Sequence, residues 1–146
     1  MARLNAHVMI QKVFFPALLV MMIASCGQHN EESEESSEKM PQSVTLVNIV
    51  EFHDLLKQED LQLVDVRTPK EYDLDRIPGA VNIDYWSDEF TSQASELNKD
   101  QPVAVYCAAG RRSAKAASKL KEMGFRQIYD LDGGMRAWHT GPAPTD

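Results

Sequence analysis

Cysteine is scarce in this chain. Two stand among 146 residues, Cys26 and Cys107, too few for a disulfide framework. Each sits in its own local context, so they are not expected to pair with each other. With only His53 and His139 to add from the folded part, they also cannot supply a structural zinc site, and the chain is expected to work without metal or cofactor. No Cys-x-x-Cys occurs, which removes dithiol–disulfide exchange within the domain. Positive charge is short as well: 15 Lys and Arg stand against 22 Asp and Glu, a net charge of −7. No basic stripe with interleaved aromatics is present, so nucleic acid is not an expected partner. The most apolar run, Val13 to Ala24, is about 12 residues, against the roughly 20 that span a bilayer, and Pro16 lies near its start. What remains is 43% apolar and 25% charged, a composition that suits one globular domain plus an appendage.

The appendage is N-terminal. Arg3, His7 and Lys12 precede the short apolar run, which is the layout of a secretory signal. The run closes on Ile23-Ala24-Ser25-Cys26-Gly27, which resembles the lipobox of bacterial lipoproteins. That resemblance implies a signal peptide over 1–25, a lipid thioether on Cys26, and a membrane partner reached through it. The expected location is the cell envelope, lipid-anchored on the periplasmic or surface side. Buried acyl chains contribute about 0.8 kcal/mol per CH₂, so two or three chains make a stable anchor. Residues 26–43 read as an acidic tether, because Gly27 to Lys39 holds five Glu and no aliphatic or aromatic side chain. Such a stretch buries too little apolar surface to offset the entropy of ordering.

Residues 44–140 carry the fold, and 141–146 form an irregular tail. Val44–Val47, Leu61–Val66, Ala80–Ile83, Val103–Tyr106 and Gln127–Tyr129 read as strands. Residues 49–56, a short segment opened by Pro69, 88–97, Ser113–Met123 and a last piece holding Met135 and Trp138 read as helices. The helix from Ser113 is expected to bury Ala114, Ala117 and Leu120 and to stop at Gly124. His53 and His139 are expected at the surface, Tyr106 and Trp138 in the core, and Trp86 at a rim. This alternation predicts an α/β layer fold, a central mostly parallel sheet with helices on both faces. Such sheets bind ligands at the carboxyl ends of their strands, and Cys107 follows one directly.

Taken alone, a cysteine after a buried strand is most often a small core hydrophobe. The context Cys107-Ala108-Ala109-Gly110-Arg111-Arg112 changes that reading. A strand, a short loop with glycine and a helix start can aim successive N–H groups inward as an anion-binding nest. Ala108 and Ala109 leave space, Gly110 frees the backbone, and Arg111 and Arg112 add positive charge. A thiol there should ionise easily, and a persulfide or a bound thiosulfate would be stabilised by the same donors.

The loop resembles the Cys-x-x-Gly-x-Arg active loop of single-domain rhodaneses. Leu63-Val64-Asp65-Val66-Arg67 with Glu71-Tyr72, then Ile77-Pro78-Gly79-Ala80-Val81-Asn82-Ile83, then Leu131-Asp132-Gly133-Gly134 through Trp138 are similar to three further family segments, in order. The resemblance implies a rhodanese-like fold and a sulfurtransferase that moves sulfane sulfur from thiosulfate, polysulfide or a persulfide to cyanide or a thiol. Cys107 would bear the persulfide, and residues 108–112 would bind substrate, with Arg112 closing the loop and Arg111 at the entrance. Asp65 and Arg67 would support the site, with Arg67 paired to Glu71. Asp75, Arg76 and Asp84 depart from the family pattern, at positions expected to lie away from the loop. Two other readings stay open: a non-catalytic persulfide carrier or redox sensor, and a phosphatase or arsenate reductase. The second is disfavoured because cysteine-dependent phosphatases place five residues between Cys and Arg, whereas Ser113 occupies that position here.

Overall fold

A computed structural model describes residues 41–143; the segments read as signal peptide, lipidated Cys26 and most of the tether lie outside them. Five strands alternate with five helices: β1 (Ser43–Val47), α1 (Ile49–Leu55), β2 (Gln62–Asp65), α2 (Pro69–Leu74), β3 (Val81–Asn82), α3 (Phe90–Ala94), β4 (Val103–Tyr106), α4 (Arg111–Glu122), β5 (Gln127–Leu131) and α5 (Gly134–Thr140). The sheet is wholly parallel, in the order β1-β5-β4-β2-β3. From β2 the chain moves outward to β3 on one side, and from β4 to β5 on the other. A crevice therefore opens over the carboxyl ends of β4 and β2, where ligands of open α/β sheets bind.

The strand pleat sorts the core into two layers. Val64, Val66, Val103, Val105 and Ile128 face α3 and α4, packing on Phe90, Ala94, Ala116, Ala117 and Leu120. Leu63, Ala104, Tyr106 and Leu131 face the other way, against Phe52 and Leu55 of α1 and Met135 of α5. β4 is buried along its whole length because helices cover both faces, which is why it reads as an unbroken apolar run. Asn48 and Glu51 form a capping box on α1, and Thr68 and Glu71 form one on α2 with Pro69 in its first turn.

Several details differ from the sequence reading. β3 keeps two residues of the four expected, as an edge strand paired only to β2. α3 keeps five of the ten expected, Phe90 to Ala94, and the flanks relax into turns. α4 begins at Arg111 rather than Ser113. Its buried stripe is Ser113, Ala116, Ala117 and Leu120, while Ala114, expected inside, is exposed. His53, expected at the surface, is buried with its ring 4.8 Å from that of Trp138, since α5 lies over that side of α1. His139 is exposed as expected and pairs with Asp75 at 2.8 Å.

The ends of β2 and β4 are locked by a buried ion pair. Asp65 is fully enclosed, and its carboxylate accepts from Arg67 Nε at 2.9 Å and from the Arg67 backbone N–H at 2.9 Å. The guanidinium also donates to the Asp75 carbonyl and lies over the Tyr106 ring, while the Tyr106 hydroxyl accepts from Ile77 N–H at 3.1 Å. Removing one partner strands a charge in low dielectric. Asp65→Ala should therefore cost about 3–5 kcal/mol in urea unfolding, whereas Asp65→Leu with Arg67→Met should recover much of that loss. A double variant no more stable than the single one would contradict this account.

Candidate active site

Cys107 lies directly after β4 and lines an open cavity. Trp86, Ala108, Ala109, Arg111, Arg112, Ala114 and Lys115 line the rest of a space of about 590 Å³. The residue is only 2% exposed and adjoins the apolar layer beneath α4, yet its sulfur also meets hydrogen-bond donors. Gly110 N–H donates to Sγ at 3.1 Å, and the Ser113 hydroxyl lies 3.6 Å from it. Burial alone would push the thiol up; backbone and hydroxyl donation from Ser113 and the N–H groups of Ala109 and Arg112 outweigh it, so the thiol sits below its ordinary range.

The loop takes this shape because its carbonyls are drawn away from the sulfur. Met135 N–H donates to the Cys107 carbonyl at 2.8 Å, and Arg136 N–H to the Ala108 carbonyl at 3.2 Å. With those oxygens held by the start of α5, the following N–H groups are left facing Sγ. Two glycines make this possible. Gly110 has φ +88°, a left-handed conformation that costs other residues, and turns the loop into α4. Gly134 has φ +54°, and a Cβ on it would stand 2.2 Å from the Cys107 carbonyl oxygen. The loop and α5 can touch only if position 134 has no side chain.

The expected site residues come together unevenly. Ala109, Gly110 and Arg112 present backbone donors to the sulfur; Ala108 instead lines the cavity wall and gives its carbonyl to α5. Arg111 is exposed at the mouth, beside Lys115. The Arg112 side chain is largely buried along the cavity wall, bound in two places to Glu71 (Nη1 to Oε2 2.7 Å, Nη2 to Oε1 2.6 Å) and lying 4.4 Å over the Trp86 ring. It does not reach in to grip an oxyanion, as a phosphatase arginine must. Asp65 and Arg67 stand behind the loop at the end of β2, but Arg67 does not pair with Glu71 as expected. Asp65, two residues earlier, captures it, while the capping box aims Glu71 away, with Oε2 held by Thr68 N–H at 3.0 Å and Thr68 Oγ1 at 2.8 Å.

Asp84, expected to lie away from the loop, does not line the cavity but acts on two residues that do. Its carboxylate accepts from Trp86 N–H at 3.0 Å and shapes the turn carrying that ring, and its charge helps hold Arg112 protonated. Ser113 is not among the expected site residues, yet its hydroxyl falls beside the sulfur from the first turn of α4. Among the described residues no group of three or more His, Cys, Asp and Glu side chains converges as a metal would need.

Fold and site together define a class. A rhodanese-like domain model matches residues 48–140, and the chain belongs to the rhodanese-like family, with a single such domain. Among its relatives, the thiosulfate sulfurtransferase GlpE of Pseudoalteromonas translucida is 35% identical over 92 residues, covering 63% of this chain and 86% of that protein. The putative sulfur carrier protein YrkF of Bacillus subtilis is 33% identical over 109 residues, 74% of this chain; the match spans only 56% of that relative's length. A rhodanese-related protein from Thermoplasma volcanium superposes with a TM-score of 0.60 at 30% identity, over 68% of this chain and 95% of that one.

Two outcomes follow from this geometry. Gly134→Ala should lose about 1–3 kcal/mol from the left-handed conformation alone and more from the clash. Its melting temperature should fall together with Cys107 reactivity; unchanged reactivity would show that α5 does not shape the loop. The Glu71 carboxyl is held down to about 2, first by Arg112 and then by Thr68 working against burial. A depressed carboxylate stabilises the fold above its unfolded-state pKa of about 4.3, and that contribution disappears as pH falls towards 2. Urea titrations through this window should show Glu71→Gln with a flatter acid limb than the wild type; parallel limbs would contradict the assignment.

Proposed function

We propose that the protein is a rhodanese-type sulfurtransferase in which Cys107 carries sulfane sulfur as a persulfide. The observation that carries the reading is the ring of main-chain and hydroxyl donors around a recessed Sγ that opens on a cavity. In the loading step the Cys107 thiolate attacks the outer sulfur of thiosulfate. A new S–S bond forms, the old one breaks, and sulfite leaves with the bonding pair. In the unloading step cyanide or a thiolate attacks the terminal sulfur, and the Cys107 thiolate departs as the leaving group. No oxidant is consumed, and no general base is required once the thiolate is formed. The same donors stabilise thiolate, persulfide and departing thiolate in turn, so the nucleophile divides one transfer into two easier steps. Arg111 and Lys115 at the mouth favour an anionic donor such as thiosulfate or polysulfide.

A carrier that is loaded and unloaded by partner proteins without steady turnover would use the same cradle, and the relative described as a putative sulfur carrier supports keeping that reading. The phosphatase alternative finds no support, because Arg112 is committed to Glu71 and Trp86. We further propose that Cys26 is lipidated and tethers the domain to a membrane of the cell envelope, a reading that rests on the lipobox-like Ile23-Ala24-Ser25-Cys26 after a signal-like start.

Mass spectrometry after thiosulfate treatment should show one added sulfur on the wild type and none on Cys107→Ser; no addition, or equal addition to both, would overturn the assignment. Steady thiocyanate release from thiosulfate and cyanide separates an enzyme from a carrier loaded once. Cys26→Ala should move the protein from the membrane to the soluble fraction of fractionated cells, and an unchanged distribution would refute the anchor.

A further inference from the structure

The cavity is larger than the chemistry at Cys107 requires. Thiosulfate and cyanide are anions of a few atoms, whereas a space of about 590 Å³ is the size that houses a drug-sized molecule. Much of its wall is apolar: Ala108, Ala109 and Ala114 present methyl groups, and Trp86 presents an indole. Trp86 is 66% exposed and belongs to neither apolar layer of the fold. A large exposed ring adds little to the core, and beside three methyl groups it extends an apolar surface that is left open to a ligand.

The ring is held in place before anything binds. Trp86 N–H donates to Asp84 Oδ1 at 3.0 Å, and Tyr85 N–H to the Val66 carbonyl at 3.3 Å, so the turn carrying the indole is tied to the chain just past β2. The Arg112 guanidinium, itself fixed by Glu71, lies 4.4 Å from the ring centroid. A rigid aromatic platform costs little side-chain entropy when a ligand settles on it. Charge marks the cavity mouth. Arg111 and Lys115 stand one turn apart on α4, so their side chains share a helix face, and both are exposed. Among the described residues neither has an ion-pair partner. Two unpaired cations beside an apolar wall, in a chain of net charge −7, select an anionic group on an otherwise apolar molecule.

We propose that Trp86 and the three alanines form a subsite for the apolar body of an organic thiol, with Arg111 and Lys115 holding a carboxylate at its far end while its sulfur meets Cys107. Trp86 is then a specificity-determining residue for the sulfur acceptor. The acceptor thiolate attacks the outer sulfur of the Cys107 persulfide. A new S–S bond forms, the bond to Cys107 Sγ breaks, and Sγ leaves with the bonding pair as a thiolate. The product is the organic persulfide, and no outside oxidant or reductant is consumed. Cyanide, which has no body to seat, gains nothing from the wall. The transfer rests on the sulfurtransferase reading; the binding does not, so the two are tested apart.

The binding arm titrates methylthio-hexanoate, a thioether that cannot accept sulfur, into the full chain and follows it by NMR. The Trp86 indole N–H signal should shift and saturate, while that of Trp138, the other tryptophan, stays put. Arg111→Gln with Lys115→Gln should weaken this binding about tenfold. The transfer arm loads Cys107 from thiosulfate and compares three acceptors per thiolate: mercaptohexanoate, mercaptoacetate, which lacks the body, and mercaptohexanol, which lacks the charge. Mercaptohexanoate should have a kcat/KM about tenfold above either of the others. Trp86→Ala should abolish its advantage over mercaptoacetate through KM, and Trp86→Phe should keep most of it. A tryptophan that only shields the Arg112–Glu71 pair would, when replaced, slow all three acceptors alike. That result, or an unmoved Trp86 signal, would overturn the inference. A chain that binds the thioether but takes no sulfur from thiosulfate would support the subsite and overturn the sulfurtransferase reading; sulfur transfer with no preference among the three thiols would do the reverse.

Discussion

The carbonyls of Cys107 and Ala108 are held by the first amides of α5, and the chemistry of the site depends on that pair of hydrogen bonds. A peptide unit has two polar ends. With the Ala108 oxygen held on one side, the Ala109 N–H of the same peptide is committed to the other, towards the sulfur. The loop thus gains an array of fixed dipoles that need no reorganisation when charge develops on Sγ. Two positions carry the constraint: Gly110, where the loop turns into α4, and Gly134, where α5 meets the Cys107 carbonyl. The sheet beneath is built to the same end, since β4, buried on both faces, holds the start of the loop rigidly.

Arginine plays a different part from the one its place in the loop suggests. Arg112 closes the loop, but its guanidinium is bound by Glu71 and stacked on Trp86, so it braces the rim and acts on the sulfur through its backbone N–H and, without a hydrogen bond, through its charge. Positive charge towards solvent comes from Arg111 and Lys115. The sulfur anion is therefore stabilised mainly by dipoles and incoming anions by peripheral charge. This division suits a group that must alternately hold and release a small polarisable atom.

Local patterns in the sequence conveyed much of this. The unbroken Val103–Tyr106 run, Pro69 opening a short helix, Gly124 after a helix and the Cys107–Arg112 loop each have a short-range physical cause, and each recurs in the structure. What was not legible depends on contacts between distant segments. Arg67 has two carboxylates within four residues, and only the fold decides between Asp65 and Glu71. His53 is buried because α5 returns over α1, which helical spacing within α1 cannot reveal. Ala114 is expected inside from its spacing to Ala117, but the stripe that meets the sheet runs through Ser113, Ala116, Ala117 and Leu120, which only the packing of α4 decides.

The central claim is electrostatic: donors around Sγ make its anion more stable than that of a free thiol. The most direct measurement is the ultraviolet absorbance of the Cys107 thiolate as a function of pH, taken as the difference between the wild type and Cys107→Ser. The account predicts a midpoint clearly below the free-thiol value of about 8.5. A midpoint at or above that value would mean that burial dominates the dipoles, and the cradle would lose its role.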